Sequence, residues 1–231
     1  MIRSFYTSSV GMKQNQHKFE VIANNVSNIS TVGYKPSRAE FSELLYTNLK
    51  ETDDLQAGNG MKLQKTDASH SAGSYITTNR TLDFAIMSNE GYFGILTDEG
   101  VKYTRAGNFS LSQGLDGNFY LALPGAGYVL GPDGNPVAVS SEQDNVNIGV
   151  FSFANRDGLL KDGNNLFVAT ENSGQAFSID NSCVKNNTLE GSAVDLATEM
   201  SELILAQRNF QFNSRMVQMS DEIMQTINNL R

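Results

Sequence analysis

The sequence predicts an α+β chain in which long N- and C-terminal helices form a coiled-coil-like pair around a central antiparallel β-rich domain. Three observations carry this. Apolar residues recur every seven positions near both termini, short apolar or alternating runs fill the middle, and turn signals, Asp-Gly pairs among them, separate those runs at a spacing of roughly eight to twelve residues.

At the N-terminus, Phe5, Met12, Phe19 and Val26 stand seven apart, with Ile22 and Ile29 offset by three. That spacing is an a/d seam on a helix of about six turns. The seam falls to Ser8 and Asn15 at two d positions, and Lys13, Gln14, Gln16 and Lys18 occupy the opposite face. The helix is predicted to end near Asn28, where Ser30-Thr31-Val32-Gly33 supplies β-branched and glycine breakers. Pro36 followed by Ser37-Arg38-Ala39-Glu40 has capping-box spacing and predicts a second, short helix with Phe41, Leu44 and Leu45 on its apolar face. Residues 1–50 thus form an N-terminal assembly region.

Residues 51–74, with Asp53-Asp54 and Gly58-Asn59-Gly60, are polar and read as a connection or weak strands. A β-rich domain is expected over 75–190. Its candidate strands are Phe84–Met87, Tyr92–Leu96, Phe119–Leu123, Tyr128–Leu130, Val137–Val139, Val150–Phe153 and Leu166–Ala169. Between them lie Asp98-Glu99-Gly100, Asp116-Gly117-Asn118, Asp133-Gly134-Asn135 and Asp162-Gly163-Asn164, which supply the positive φ that tight hairpins need. Residues 191–231 form the C-terminal assembly helix. It is predicted over 193–229, with Ser192 to Asp195 resembling a capping box. Leu196, Leu203, Phe210, Val217 and Met224 repeat every seven residues, and Phe212, Met216, Met219, Ile223, Ile227 and Leu230 make a second stripe.

Composition excludes several classes. A net charge of −8 without a basic cluster excludes nucleic acid as a partner. The single Cys183 excludes an intramolecular disulfide, and with His17 and His70 far apart no metal site or cofactor is expected. No run nears the ~18–20 apolar residues of a bilayer span, so no membrane insertion is expected. Met1-Ile-Arg-Ser-Phe-Tyr6 lacks an apolar signal core and a cleavage site. The expectation is a chain that stays in the cytoplasm or leaves through a machine that removes no peptide.

Apolar stripes on more than one side of the C-terminal helix cannot all be buried by a two-helix pair. Left bare, they would exceed the patches that soluble monomers expose. The termini therefore read as assembly elements.

The residues also carry a resemblance. Ala23-Asn-Asn-Val-Ser-Asn-Ile-Ser-Thr-Val-Gly33-Tyr34-Lys35 is similar to the N-terminal signature of flagellar rod and hook proteins. Thr81-Leu82-Asp83-Phe84-Ala85-Ile86 with Gly91-Tyr92-Phe93, and Tyr103-Thr104-Arg105-Ala106-Gly107-Asn108-Phe109, resemble the family's central stretches. Glu199-Met200 through Gln207-Arg208-Asn209-Phe210 to Asn213-Ser214 resembles its C-terminal run. The chain is most similar to the rod branch related to the distal-rod subunit. The stretch from Val150 to Ser192 is too short for the extra domain of a hook protein.

The resemblance implies a basal-body rod subunit that is not an enzyme. Its terminal helices would line a tubular drive shaft that transmits torque from motor to hook, with the β domain outside. It implies copies of itself and other rod and hook proteins as partners, the flagellar type III export apparatus, and envelope ring proteins as further candidates. The expected assembly residues are Phe5, Met12, Phe19, Ile22, Asn24, Asn25, Val26, Asn28 and Ile29 at one end. At the other they are Leu196, Met200, Leu203, Gln207, Arg208, Phe210, Val217, Met224 and Ile227. The three asparagines serve equally well as local helix terminators. Gly33 reads as a backbone requirement, and Asp83 and Arg105 as a structural ion pair or turn bond. The competing readings are a hook or other axial component, a β binding module dimerised by a coiled coil, and a hydrolase using Asp83 and Glu90.

Overall fold

The computed structural model describes residues 3–48, 56–114, 117–139 and 146–230. The Asp53-Asp54 pair and Asp116 of one anticipated turn lie outside them. Helices at the two ends and a β-rich middle make the chain α+β. It divides into two compact units, one of Met1–Ser27, Ser37–Asp67 and Asp195–Arg231, the other of Asn28–Pro36 and Ala68–Val194.

The helical unit contains α1 (Arg3–Ser27), the strands β1 (Ser37–Glu43), β2 (Thr47–Asn48), β3 (Gln56–Ala57) and β4 (Met61–Ala68), and α2 (Leu196–Asn229). β1 pairs with β4, and β2 with β3. The short helix expected after Pro36 is therefore a strand. A side-chain contact overrides the capping-box pattern. The Asn25 side chain engages Ser37 as a neighbouring strand would, its Nδ2 donating to Ser37 O at 2.8 Å and its Oδ1 accepting from Ser37 N at 2.9 Å. α2 begins three residues later than its expected cap. Asp195 is the N-cap, accepting from Ala197 N at 3.2 Å, while Ser192 Oγ accepts from Val194 N at 3.3 Å within a local turn. Among the described residues no helix is long and apolar enough to cross a membrane.

The β unit runs through β5 (Tyr75–Thr77), β6 (Phe84–Ile86), β7 (Tyr92–Thr97), β8 (Gly100–Thr104), β9 (Ser110–Gln113), β10 (Phe119–Leu123), β11 (Gly127–Val129) and β12 (Val150–Ser152). It continues with β13 (Leu160–Lys161), β14 (Leu166–Val168), β15 (Phe177–Ile179), β16 (Val184–Asn186) and β17 (Thr188–Glu190). Its main sheet has the order β13-β14-β8-β7-β11-β10-β9. β12 joins the free part of β7 and pairs in turn with β15. Smaller pairs join β6 to β16 and β5 to β17, both antiparallel.

The period of two along a strand sends alternate residues to opposite faces. On β7, Phe93 and Ile95 enter a core with Phe84, Ile86, Phe109, Leu121, Val129 and Val150. Tyr92 enters a second cluster with Tyr103, Phe153, Leu159 and Phe167. The segment expected as a strand at 137–139 makes only isolated bridges, Ala138 to Tyr120 and Pro136 to Leu130.

Candidate assembly interface

α1 and α2 lie side by side and run antiparallel, since contacts from the start of α1 fall near the end of α2. Ser4 Oγ meets Ser220 Oγ at 3.1 Å, and Phe19 meets Phe210 edge to face with ring centroids 6.4 Å apart. Lys18 pairs with Glu202, and Asn25 Nδ2 donates to Glu199 Oε1 at 3.0 Å.

The residues buried on α1 are Ser8, Gly11, Asn15, Ile22 and Asn25, and those on α2 are Ala206 and Ser220. These are mostly small or polar. Gly11 lies where a Cβ would stand 2.7 Å from Asn213 Nδ2, so the missing side chain leaves room for the Asn213 amide to pack on α1. Asn15 offsets its own burial by donating to Gly11 O at 2.8 Å. Burial raises the Glu199 carboxyl above its ordinary range, against the opposing pull of the Asn25 amide and Arg38.

The expected seam residues sit differently from the heptad reading. Ile22 and Asn25 are buried. Phe5, Met12, Phe19, Val26, Asn28, Leu203 and Val217 are half-buried, and Asn24, Ile29, Leu196, Met200, Gln207, Arg208, Phe210, Met224 and Ile227 are exposed. Asn28 accepts from its neighbour Thr31 with both Oδ1 and its carbonyl oxygen, each at 3.1 Å. The polar d positions Ser8 and Asn15, where the heptad weakens, are the ones that face α2. Gly11 in mid-helix was the available signal, because a glycine there costs helix stability unless close approach requires it.

An apolar ridge stands exposed on α2, formed by Phe212, Met216, Met219 and Ile223, with Leu205 on the same face beyond Arg208 and Asn209. Phe212 is 62% exposed and Ile223 52%. β4 and its approach lie against α1. Leu63 N donates to Gln14 Oε1 at 2.9 Å, and Gly60 packs on Val10 and Thr7.

The β unit contains a buried ionic centre. Glu190, fully buried, takes Lys35 Nζ on Oε1 at 2.6 Å and Arg105 Nη1 on Oε2 at 3.1 Å, and both cations are buried too. Gly73 N donates to the same Oε1 at 2.9 Å, and Lys35 Nζ also donates to Ser71 O at 2.6 Å. The Glu190 carbonyl accepts from Gly33 N at 2.7 Å. Gly33 has φ +66°, and a Cβ there would stand 2.5 Å from the Arg105 backbone. Burial drives the Lys35 pKa down. The Glu190 carboxylate opposes that shift, and the Arg105 charge adds to it.

The Arg105 guanidinium also lies 5.2 Å from the Tyr92 ring centroid, and the Tyr92 hydroxyl, pushed up to about 12 by burial, hydrogen-bonds His70 Nδ1 at 2.7 Å. His70 in turn lines a polar cavity with Ser69, Asn89, Asn155, Arg156 and Asp157. Asp83 has Arg80 as its cationic neighbour, at 3.7 Å, so Asp83 and Arg105 serve separate structures. Lys35 and Glu190 carry no periodicity that would have picked them out. Their signal is adjacency to Gly33 and Gly191.

Three stretches meet at Glu190, and each belongs to a segment that continues along the chain into the helical unit. Tyr34-Lys35 follows α1, Ser71–Gly73 follows β4, and Glu190 precedes α2. Terminal helices with an exposed apolar ridge in one unit, and a second unit closed over its own core with no clustered catalytic groups among the described residues, fit the class of structural subunits.

Comparison with known proteins supplies the family. Residues 5–35 match the family described as flagella basal body rod protein, and residues 185–230 match the C-terminal family of the flagellar basal body rod FlgEFG proteins. The flagellar basal-body rod protein FlgG of Bacillus subtilis is 38% identical, with all of both chains covered. FlgG of Borreliella burgdorferi is 31% identical over all of this chain and 99% of its own, and FlgG of Caulobacter vibrioides 32% over all of both. The chain belongs to the flagellar basal-body rod protein family. It is a structural, non-enzymatic rod subunit of the flagellar basal body, and it assembles with other rod and hook components.

Proposed function

We propose that this subunit polymerises through its terminal helices, which pair as a coiled coil of heptad spacing, into the axial shaft that carries torque to the hook. The observation that carries the reading is the exposed apolar ridge Phe212, Met216, Met219 and Ile223 of α2, with Leu205 on the same face. At ~25 cal/mol per Å², covering such residues against neighbours stabilises a polymer strongly before ordering costs are subtracted. The residues expected at the joints, from Phe5 to Ile29 and from Leu196 to Ile227, surround this ridge or the half-buried row on the other side of the pair. The meeting of Lys35, Gly73 and Arg105 at the Glu190 carboxylate suits a part under mechanical load, because it ties together segments that lead along the chain to both helices. Delivery through the flagellar export apparatus, and contact of the β unit with envelope rings, complete the reading.

The test replaces Phe212 and Met219 together with Asp in the full-length chain. The purified variant should unfold within about 2 °C of the parent, because both positions are exposed. Its cells should lose rods beyond this subunit's position and lose swimming. Normal rods and motility in that variant would refute the reading.

A further inference from the structure

The α1–α2 pair has two unlike sides. On one side lies the α2 ridge, together with the Lys18–Glu202 pair. On the other, the Phe19–Phe210 contact marks a shallow furrow between the helices. Residues at seven-residue intervals from these two share their sides. The furrow is therefore floored by the half-buried Phe5, Met12, Phe19, Val26, Leu203 and Val217. Its exposed rim is mostly polar, formed by Ser9 and Gln16 of α1 and Gln207 of α2, with Met200 one heptad before Gln207.

We propose that the ridge of one copy seats in the furrow of a second copy of this chain. This rests on the reading of the helices as the polymerising elements and specifies which faces meet. Ridge and furrow are complementary in form, since a row of protruding side chains packs into the groove between two helices. They are complementary in chemistry, since Met216 and Met219 offer polarizable sulfur to the rings of Phe5 and Phe19. An apolar floor inside a polar rim is the anatomy of a specific interface.

Size fits as well. With ~200 Å² of surface per large apolar side chain, the four ridge residues and Leu205, each about half exposed, leave about 500 Å² to cover, a large part of one partner's ~800 Å² share of a specific interface. Because the two faces are different surfaces on opposite sides of one pair, no two-fold contact satisfies both. Each added copy leaves one ridge and one furrow free, which builds a ring or a filament in place of a closed dimer.

Cysteine crosslinking of full-length protein, in cells and after purification at high concentration, tests this in a Cys183→Ser background. Ser9→Cys, Gln16→Cys or Gln207→Cys marks the furrow rim, and Phe212→Cys or Met219→Cys marks the ridge. A short bismaleimide should give a ladder of dimers, trimers and higher species from at least one variant that carries both marks. A mixture of the two corresponding single variants should stop at dimers, and each single variant alone should stay monomeric. Dimers from a ridge-only or furrow-only variant would mean a two-fold contact and overturn the proposal. A product whose mass identifies a different rod protein would overturn the choice of occupant, and absence of products from every combination would overturn the pairing of faces. These failures are separable from failure of the polymerisation reading, which the Asp-substituted ridge tests independently.

Discussion

In the helical unit the buried positions are Ser8, Gly11, Asn15, Ala206 and Ser220, while Phe212, Met219 and Ile223 face solvent. In the β unit Phe84, Phe93, Ile95, Phe109 and Leu121 are buried, and three charged side chains of its interior, Lys35, Arg105 and Glu190, pair through the Glu190 carboxylate. The first arrangement buries small and polar residues between its helices and leaves large apolar residues exposed. The second closes over its apolar residues and uses charge to join segments distant in sequence. One unit hides its apolar side chains and the other displays them.

That contrast is most exposed to test at Glu190. Replacing it with Ala strands two buried cations, and breaking a buried pair in this way costs ~3–5 kcal/mol. For a chain of this length that is a fall of about 6–20 °C in Tm by calorimetry. If Glu190→Ala unfolded with the parent, the centre would contribute nothing and the β unit would lose its distinguishing device. Gly33→Ala should come next. Its φ of +66° disfavours any Cβ, and the added atom would meet Arg105 backbone that cannot move aside cheaply. A loss of ~2 kcal/mol or more is expected, read from the denaturant midpoint at unchanged slope.

Gly11→Leu probes the other unit and should barely touch the β unit. Ala at this position gains ~0.5–1 kcal/mol of helix propensity and meets only the tip of Asn213, so it is close to neutral. Leu has no room and must part the helices. Hydrogen exchange should then quicken along α1 and α2 while β7 and β8 keep their protection, and the subunit should fail to enter rods. Equal loss of protection in both units would show that they do not differ as described.

Much of the architecture was legible because periodicity is a local property. The heptads placed α1 and α2, and alternation with Asp-Gly turns placed β7, β10 and β14, with β10 matching to the residue. β1 was not legible, because its extended form is set by the Asn25 side chain bracketing Ser37, a contact absent from any local pattern. Heptads likewise told which turns of α1 and α2 are amphipathic but not which face turns inward. Of the predicted apolar row Phe5, Met12 and Phe19, Phe19 meets Phe210 of α2, while the fully buried positions of α1 are Ser8, Gly11, Asn15, Ile22 and Asn25. Lys35 and Glu190 are 155 positions apart and became partners only through the fold.

The smallest effect expected is a pH dependence confined to the β unit. Burial lowers the His70 pKa below its ordinary 6.5. Asp157 opposes this, and Arg156, Lys35 and Arg105 reinforce it. The ring also holds the Tyr92 hydroxyl through Nδ1. Between the lowered folded value and 6.5 the unfolded chain binds more protons than the folded one, so stability falls as pH drops through that window and is fully present above it. Tm measured from pH 7.5 to 5 should therefore decline more steeply in the parent than in His70→Gln, by less than any shift above, while helical ellipticity attributable to α1 and α2 holds. A parent and variant with parallel pH profiles would mean that His70 is not held neutral by the surrounding cations and its buried site, and the β unit would then lack the tightly closed, cation-rich interior that sets it apart from the open helical pair.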